Sequence, residues 1–372
     1  MRHLVFVGAF PAAGSGVFGG MVTSCRALME SSFAERLRVT TLDTTQRTVP
    51  PPPLWRRVGY AMQRAARFRR LLQTERPDAV LLMCADKLSF VEKSIMAGYA
   101  RVHGIPGILA PRGGALMDDC RRSLLYRHFA GALFSLPTVI LCQGPAWHSF
   151  FTGLYGMAAS RCPIVPNWTA SRELTELGER RRYHDHAEVS VLFVGWLERT
   201  KGIFELLEAV DVLRADTQLP RFRLVLAGEG SASEEARAYV RQNGLDTHVE
   251  FLGWADGAAK VAAYRNADIF TLPSHAEGLP NAMVEAMAAG LPVVVTTVGS
   301  VPDVIEHEGD GLLIGVRDPV ALAAALRRLI QDAGLREQLG RRAASKAQAQ
   351  FGVELAARRL VDIVDQLCEK GR

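Results

Sequence analysis

The sequence predicts an α/β protein with two doubly wound parallel sheets, one in each of two Rossmann-like domains. Apolar, β-branched runs alternate with helical patterns along most of the chain, which is the pattern typical of parallel sheets. The alternation is interrupted once, near residue 170, by a polar stretch without a strand-like run. A chain of 372 residues with 48% hydrophobic content is long enough to bury two cores of ordinary size.

Six strands are predicted on either side of this polar stretch, and they carry so few polar residues that we expect them to be buried. The first series is Leu4–Ala9, Leu37–Leu42, Ala79–Met83, Gly107–Leu109, Val139–Cys142 and Ile164–Val165. The second series is Val189–Val194, Arg223–Ala227, Val249–Phe251, Ile269–Leu272, Val293–Thr296 and Gly311–Ile314.

The chain order predicts three segments. Residues 1–170 form a first domain and residues 171–350 a second, with an interdomain linker in the polar stretch Thr169–Glu188. Residues 351–372 form an amphipathic helix, which in two-domain folds often packs back toward the first domain. Its apolar face consists of Leu355, Leu360, Ile363, Val364 and Leu367.

The charge is distributed unevenly between the two halves. Residues 1–170 carry 20 Lys and Arg against 9 Asp and Glu, whereas residues 171–372 carry 24 against 30. A basic half favours an anionic partner such as a phospholipid surface, a lipid pyrophosphate or nucleic acid, although a solvated basic face explains it equally well. The stiff run Pro50–Pro53 leads into a basic helix that either docks on anionic lipid or is simply exposed.

Cysteine spacing and hydropathy place the chain in the cytoplasm without a membrane-spanning helix. The six cysteines form no CxxC pair and have no histidine at metal-ligand spacing, which indicates reduced core thiols. The longest charge-free stretch, Phe129–Ser160, is broken by proline, glycine and histidine before it could span a bilayer. The short apolar run at the N-terminus leads into a glycine loop, so it is predicted as the first strand rather than a signal peptide.

The most informative motif is Ser274–Glu285, which places two carboxylates eight residues apart around a predicted helix start. Pro280 suits the first helical turn, and the N–H groups near Gly278, Leu279, Pro280 and Asn281 would face the carboxyl edge of a sheet, where a diphosphate fits. Glu285 would reach the hydroxyls of a ribose, and Glu277 would lie beside a sugar ring. Either glutamate alone is better explained as a helix cap or a solvated side chain, but the full constellation argues against that.

The second motif is the loop Gly195–Gly202, which places Arg199 and Lys201 at the carboxyl edge of a predicted strand. When a sugar–phosphate bond breaks, negative charge develops on the departing diphosphate, and a fixed cation lowers the barrier by stabilising it. Lys201 is our main candidate for this role. A lysine beside a glycine, taken alone, is usually a surface residue.

A third feature is the glycine loop Gly14–Gly20, which contains a GxGxxG pattern. The pattern begins several residues after the predicted strand, which argues against binding of a nicotinamide cofactor. We expect Gly19 and Gly20 to approach a diphosphate from the opposite side of a cleft between the two domains. A plain flexible turn is the alternative.

Taken together, the two glutamates, the loop Gly195–Gly202 and the segment Val249–Gly253 resemble the retaining family 4 glycosyltransferases of GT-B fold. The resemblance covers nearly the whole second domain and, more loosely, the first. It implies that Glu285 contacts ribose, Glu277 the donor sugar and Lys201 the diphosphate. It also implies that the backbone of Gly278–Pro280 lines the phosphate and the sugar.

The sequence departs from the family pattern in the positions of two cations. Trp196 stands where the family usually has arginine, so either Arg199 supplies the missing charge or Lys201 acts alone. The segment Ala110–Gly114 resembles a subgroup with arginine in place of the family's histidine, which makes Arg112 a candidate catalytic residue that contacts an anion or the acceptor. Pro166-Asn167-Trp168 resembles the family's hinge entrance and is interpreted as structural.

The resemblance implies a retaining hexosyltransferase that moves a sugar from a nucleotide-diphosphate sugar, by family frequency a UDP-sugar, held by the second domain. The acceptor, bound by the first domain, would be a glycan or a polyprenyl-pyrophosphate-linked glycan in bacterial surface polysaccharide synthesis, such as capsule, exopolysaccharide or O-antigen. We expect no cofactor, no nucleic-acid partner and, because no Asp-x-Asp triplet occurs, no metal ion. The enzyme would work in the cytoplasm, either free or peripherally bound at the inner face of the plasma membrane.

Three alternatives remain open from the sequence. One is a nucleotide-sugar epimerase of the same fold, and another is an NAD-dependent oxidoreductase that uses Gly14–Gly19. The third is a non-catalytic protein that binds carbohydrate or membrane.

Overall fold

The computed structural model describes residues 1–11, 19–45, 52–183 and 188–370, and the chain divides into two compact units. Met1–Trp168 together with Val353–Arg372 forms the first unit, and Thr169–Gly352 forms the second. The boundaries predicted from the sequence, after residues 170 and 350, lie two residues from these.

The first unit contains a parallel sheet of five strands in the order β2-β1-β3-β4-β5. The order reverses between β1 and β3, so the chain winds to both sides of its first strand. Because all strands run in the same direction, their carboxyl ends share one edge. The strands are β1 (His3–Gly8), β2 (Arg38–Asp43), β3 (Ala79–Cys84), β4 (Gly107–Pro111) and β5 (Val139–Ile140).

Helices cover both faces of this sheet. Leu4 and Phe6 of β1 belong to a core with α1, α2 and α16, whereas Val5 and Val7 belong to a core with α3, α4 and α6. The period of two along the strand therefore divides the apolar side chains between two layers of helices. The helices are α1 (Gly20–Met29), α2 (Ser32–Arg36), α3 (Leu54–Glu75), α4 (Leu88–Val102), α5 (Ala115–Arg122), α6 (Leu124–Phe134), α7 (Pro145–Ser149) and α16 (Val353–Lys370).

Two strand predictions in the first unit are corrected by the structure. The segment predicted as the buried strand Leu37–Leu42 is largely β2, but β2 lies at the edge of the sheet, and within it only Leu42 is buried. An edge strand is covered less completely than a central one, and its two threonines tolerate that position. Ile164–Val165 is not a strand, because Ile164 forms only an isolated bridge with Cys142.

The second unit contains a parallel sheet of six strands in the order β11-β10-β9-β6-β7-β8. In chain order this is the arrangement of a dinucleotide-binding sheet, with the reversal between β6 and β9. The strands are β6 (Glu188–Val194), β7 (Arg221–Ala227), β8 (Val249–Gly253), β9 (Ile269–Leu272), β10 (Val293–Thr296) and β11 (Leu312–Ile314).

Eight helices of the second unit surround this sheet in the part of the chain that the structure describes. A short 3₁₀ turn, Arg199–Lys201, precedes the second of them. The helices are α8 (Arg172–Arg180), α9 (Ile203–Arg214), α10 (Ser233–Gln242), α11 (Gly257–Asn266), α12 (Asn281–Ala288), α13 (Val301–Val304), α14 (Pro319–Gln331) and α15 (Ala333–Gln350).

The stretch interpreted as an interdomain linker is instead partly folded into the second unit. It contains α8, whose Leu174 is buried in the core of that unit. The guanidinium of Arg181, just after α8, donates hydrogen bonds to the carbonyl oxygens of Ala289 at 2.5 Å, Ala267 at 2.7 Å and Tyr264 at 2.5 Å. This arginine therefore satisfies carbonyl groups at the ends of α11 and α12, which polarity alone did not reveal.

The last helix belongs to the first unit. The buried face of α16 includes Ala357, Leu360 and Val364, in the same core as Leu4 and Phe6. Among the helices that the structure describes, none combines the length and the hydropathy needed to cross a membrane.

Candidate functional site

Two loops of the second unit leave neighbouring strands at the point where the strand order reverses. The loop Gly195–Gly202 follows β6, and the loop Pro273–Pro280 follows β9, which pairs with β6. In open parallel sheets, ligands bind at the carboxyl edge beside such a reversal. The two strongest sequence motifs therefore meet where the topology favours a binding site.

Close contacts attach these loops to each other. Gly202 has a left-handed backbone (φ 72°), and a Cβ atom there would lie 2.1 Å from the carbonyl oxygen of Pro273, so only glycine fits. The backbone N–H of His275 donates to the carbonyl oxygen of Thr200 at 2.8 Å, and its Nε2 lies 2.8 Å from Oε1 of Glu205. The cationic loop is thus held in one position relative to the acidic one.

The structure brings two of the predicted site residues into direct contact. The Nζ atom of Lys201 donates to Oε1 of Glu277 at 2.5 Å, and Oγ of Ser274 donates to the same oxygen at 2.8 Å. The Lys201 side chain is 24% exposed and that of Glu277 13% exposed, so the ion pair is partly shielded but remains accessible. Each side chain therefore orients the other.

The helix that follows Glu277 begins one residue later than the sequence predicts. Pro280 is the N-cap of α12 rather than part of its first turn, because its backbone is extended (ψ 121°). Its N-cap residue provides no side-chain cap, and its first turn lies at the carboxyl edge of the sheet. The preceding Gly278 and Leu279 are buried, and the carbonyl of Gly278 accepts from Ser300 N at 2.7 Å. The backbone predicted to line a diphosphate is therefore fixed.

Glu285 is not a solvated helix residue, since it is only 3% exposed. Its Oε1 accepts from Nζ of Lys260 at 2.9 Å and its Oε2 from the hydroxyl of Tyr264 at 2.8 Å. Burial and the adjacent carboxylate raise the pKa of Tyr264, which keeps its hydroxyl protonated as a donor. Sequence reasoning missed both partners; their spacing of four residues on α11 was a weak signal that they share one face.

The side chain of Arg199, predicted to bind the donor, contacts residues of α9 and α10 instead. Its guanidinium forms an ion pair with Glu235 of α10 and lies 4.5 Å from the ring centre of Phe204. Trp196, which stands in place of the family's arginine, packs against Trp254 with ring centres 4.7 Å apart. These contacts favour the interpretation in which Lys201 supplies the positive charge of the loop alone.

Part of the predicted glycine loop in the first unit lies outside the described residues, namely 12–18. Gly19 and Gly20 are described, and they begin α1, with Gly19 at φ 140°. Their proposed approach to a diphosphate stays a prediction.

Arg112 lies in the first unit, directly after β4. Its N–H donates to the carbonyl oxygen of Cys84 at 2.8 Å, Nη1 donates to Oδ1 of Asn167, and the guanidinium lies 4.2 Å from the ring centre of Trp168. Burial lowers the pKa of Arg112 to about 10, which leaves the group charged at neutral pH. The segment Pro166-Asn167-Trp168, interpreted as structural, therefore also positions this arginine.

No group of three His, Cys, Asp or Glu side chains within the described ranges is arranged to hold a metal ion. Five of the six cysteines are buried, and Cys368 is half-buried.

Comparison with known proteins identifies the family of the second unit. The family model described as glycosyl transferases group 1 matches residues 179–346, which confirms the family predicted from the motifs. The amylovoran biosynthesis glycosyltransferase AmsK of Erwinia amylovora is 31% identical over 188 residues, covering 49% of this chain and 46% of that protein. The chain spans about half the length of the curated relatives it matches.

Comparison with solved structures confirms the GT-B fold with two Rossmann-like parallel-sheet domains. Sucrose-phosphate synthase from Thermosynechococcus elongatus matches with a TM-score of 0.80 at 18% identity, covering 100% of both chains. HepE of Anabaena, solved in complex with UDP-glucose, matches with a TM-score of 0.70 at 17% identity, covering 98% of this chain and 100% of that one.

The contacts of Glu285 predict the effect of removing one hydroxyl. We expect Tyr264→Phe to lower the free energy of unfolding of the second unit by about 1–3 kcal/mol, because it leaves a buried carboxylate oxygen without its donor. Urea denaturation measures this change. Tyr239→Phe is the control, since Tyr239 packs against Phe204 and its hydroxyl has no partner among the described residues. Equal stabilities of the two variants would contradict the assigned role.

Proposed function

We propose that this chain, whose residues 179–346 belong to the glycosyl transferases group 1 family, transfers a sugar from a nucleotide-diphosphate sugar to a glycan or lipid-linked glycan. The single observation that carries this proposal is the contact of Lys201 with Glu277 at the reversal between β6 and β9. The pair precedes the start of α12, whose N-cap residue is a proline that provides no side-chain cap, and the N–H groups at a helix start favour an anion.

The proposed donor pose follows from the chemistry of these groups. The diphosphate lies against the first turn of α12, with Lys201 beside it, and the sugar lies beside Glu277. Glu285 accepts hydrogen bonds from the ribose. The complex of HepE with UDP-glucose supports a UDP-sugar as donor.

In the proposed reaction, the acceptor hydroxyl attacks from the side of the leaving group and gives its proton to the departing phosphate. The anomeric configuration is thereby retained. Lys201 stabilises the charge that develops on the diphosphate, which is worth most in a site shielded from water. The relative AmsK, named for amylovoran biosynthesis, supports an acceptor in bacterial surface polysaccharide synthesis.

A donor screen combined with one substitution tests this function. We expect UDP-sugars, more than GDP-, ADP- or CMP-sugars, to raise the melting temperature, because a ligand that binds only the folded state stabilises it. Lys201→Met should lower turnover by about 10²- to 10³-fold, the usual cost of losing one group that stabilises transition-state charge.

The control is Arg214→Met, which removes an exposed cation at the far end of α9, where it pairs with Asp211. Turnover is measured as sugar found on the acceptor, so that an epimerase, which transfers none, is distinguished. A Lys201→Met enzyme as fast as the control would remove Lys201 from the mechanism.

The same charge argument predicts catalysis without a metal ion. Because Lys201 and the start of α12 together supply the positive field that a divalent cation otherwise provides, we expect turnover to be unchanged by excess EDTA. Transfer assays before and after chelation measure this. Activity that disappears in EDTA and returns with Mg²⁺ or Mn²⁺ would show that the lysine is not sufficient.

We further propose that α3 docks the protein on an anionic membrane at the inner face of the plasma membrane. This helix carries six arginines and one glutamate. Leu54, Trp55 and Met62 are 61%, 69% and 68% exposed, and Leu54 and Met62 are eight residues apart, so they share one face. Basic helices with an exposed apolar and aromatic face bind at lipid headgroups.

Vesicle sedimentation tests this surface. We expect the full chain to bind phosphatidylglycerol vesicles, to be released by salt, and to ignore phosphatidylcholine vesicles. Replacing Arg56 and Arg57 by serine should weaken binding by about 1 kcal/mol per arginine. Arg359→Ser, on the exposed face of α16, is the matched control. Binding that does not depend on lipid charge would exclude this mode of docking.

A further inference from the structure

Arg112 of the first unit is half-buried, and its guanidinium has a feature that the donor site does not explain. We propose that Arg112 is the centre of a second oxyanion-binding site, which takes a phosphate group on the Nε–Nη2 edge of its guanidinium. The proposal rests on the proposed function only for the source of that phosphate.

The position of Arg112 suits a ligand. It follows the carboxyl end of β4, and its backbone N–H is bonded to Cys84 at the carboxyl end of the neighbouring β3. Ligands of open parallel sheets bind at this edge.

The guanidinium is held in a fixed orientation. Nη1 donates to Asn167, which is 5% exposed, and the ring of the fully buried Trp168 lies 4.2 Å from the guanidinium carbon. The indole Nε1 in turn donates to the carbonyl oxygen of Ser24 at 2.8 Å, which anchors the ring. A cation with its plane and one end fixed is pre-organised for a ligand at its remaining edge.

That remaining edge is the one best suited to an oxyanion. Nε and Nη2 of Arg112 are both buried and neither has a hydrogen-bond partner among the described residues. Their two N–H bonds run side by side, so they match two oxygens of one phosphate or carboxylate. Buried donors without a partner are rare in folded proteins and require an explanation such as an absent ion.

The charge of Arg112 is also uncompensated. In the described part of the chain, no carboxylate lies within ion-pair distance of its guanidinium. The ionisable groups that act on the charge of its guanidinium are the thiols of Cys25 and Cys84, and burial raises the pKa of each to about 12, so both are neutral at physiological pH. Because Nε and Nη2 are buried, a guanidinium without a counter-charge is costly there, and binding an anion reduces that cost.

Phosphate binding without donor or acceptor tests the site directly. Calorimetry with inorganic phosphate is carried out on the full chain carrying Lys201→Met, which removes the cation of the donor site. Adding Arg112→Met should raise the phosphate Kd about 10- to 100-fold, the range that hydrogen bonds to a charged group provide. Adding Arg359→Met instead should leave it unchanged.

Two further variants separate the contribution of the paired N–H groups from that of the positive charge and from any effect on folding. Arg112→Lys keeps the charge but lacks the paired N–H groups, so it should restore little of the affinity. Asn167→Asp keeps the guanidinium and places a carboxylate against Nη1, so it should weaken phosphate binding in a chain that still melts cooperatively. Phosphate affinity that is equal in all variants would overturn the proposal.

Two measurements, the KM for a phosphate-bearing acceptor and the Kd of UDP, show which substrate supplies the phosphate. If Arg112→Met raises the KM for a phosphate-bearing acceptor and leaves the Kd of UDP unchanged, the acceptor supplies the anion. If the Kd of UDP rises as much as that of phosphate, the donor supplies it. Both results support an oxyanion site, and both UDP and phosphate binding are measured without turnover, so a failure of the proposed transfer reaction is recognised separately.

Discussion

The candidate site depends on one constraint, the reversal of strand order that makes β9 the neighbour of β6. This pairing brings together two loops that are more than 70 residues apart in the chain, and the missing side chain of Gly202 lets the loop after β6 approach Pro273 closely. Lys201 therefore lies within hydrogen-bond distance of Glu277. The chemistry proposed here therefore follows from topology first and from residue type second.

The two glutamates of the motif occupy different environments, and this separates their roles. Glu277 is partly accessible and paired with Lys201, whereas Glu285 is buried between Lys260 and Tyr264. A carboxylate offers about four lone-pair positions, so in the proposed donor pose two would remain on Glu285 for ribose hydroxyls. A carboxylate that is already fixed by two partners loses little side-chain entropy when it binds paired hydroxyls. A mobile carboxylate would lose more.

Much of the architecture could be predicted, because buried parallel strands leave continuous apolar runs and the donor motif is contiguous in sequence. The errors have physical causes. The exposure of β2 depends on its place at the sheet edge, and the role of Arg181 depends on carbonyl groups that only the folded chain brings near. Lys260 and Tyr264 escaped detection for the same reason, since their function depends on how α11 packs beside α12.

The cations of the two candidate sites, Lys201 and Arg112, are held in opposite ways. Lys201 already has a carboxylate partner, so in the proposed donor pose a diphosphate would compete with Glu277 for it, and part of the attraction would be lost on binding. Among the described residues, the guanidinium of Arg112 contacts an amide and an aromatic ring, and its Nε and Nη2 have no hydrogen-bond partner, so an anion bound there would not have to displace a carboxylate. A cation that is shared with a carboxylate, such as Lys201, suits a diphosphate that is bound and then released as product. A cation held without a counter-charge, such as Arg112, suits the recognition of a phosphate group that does not react.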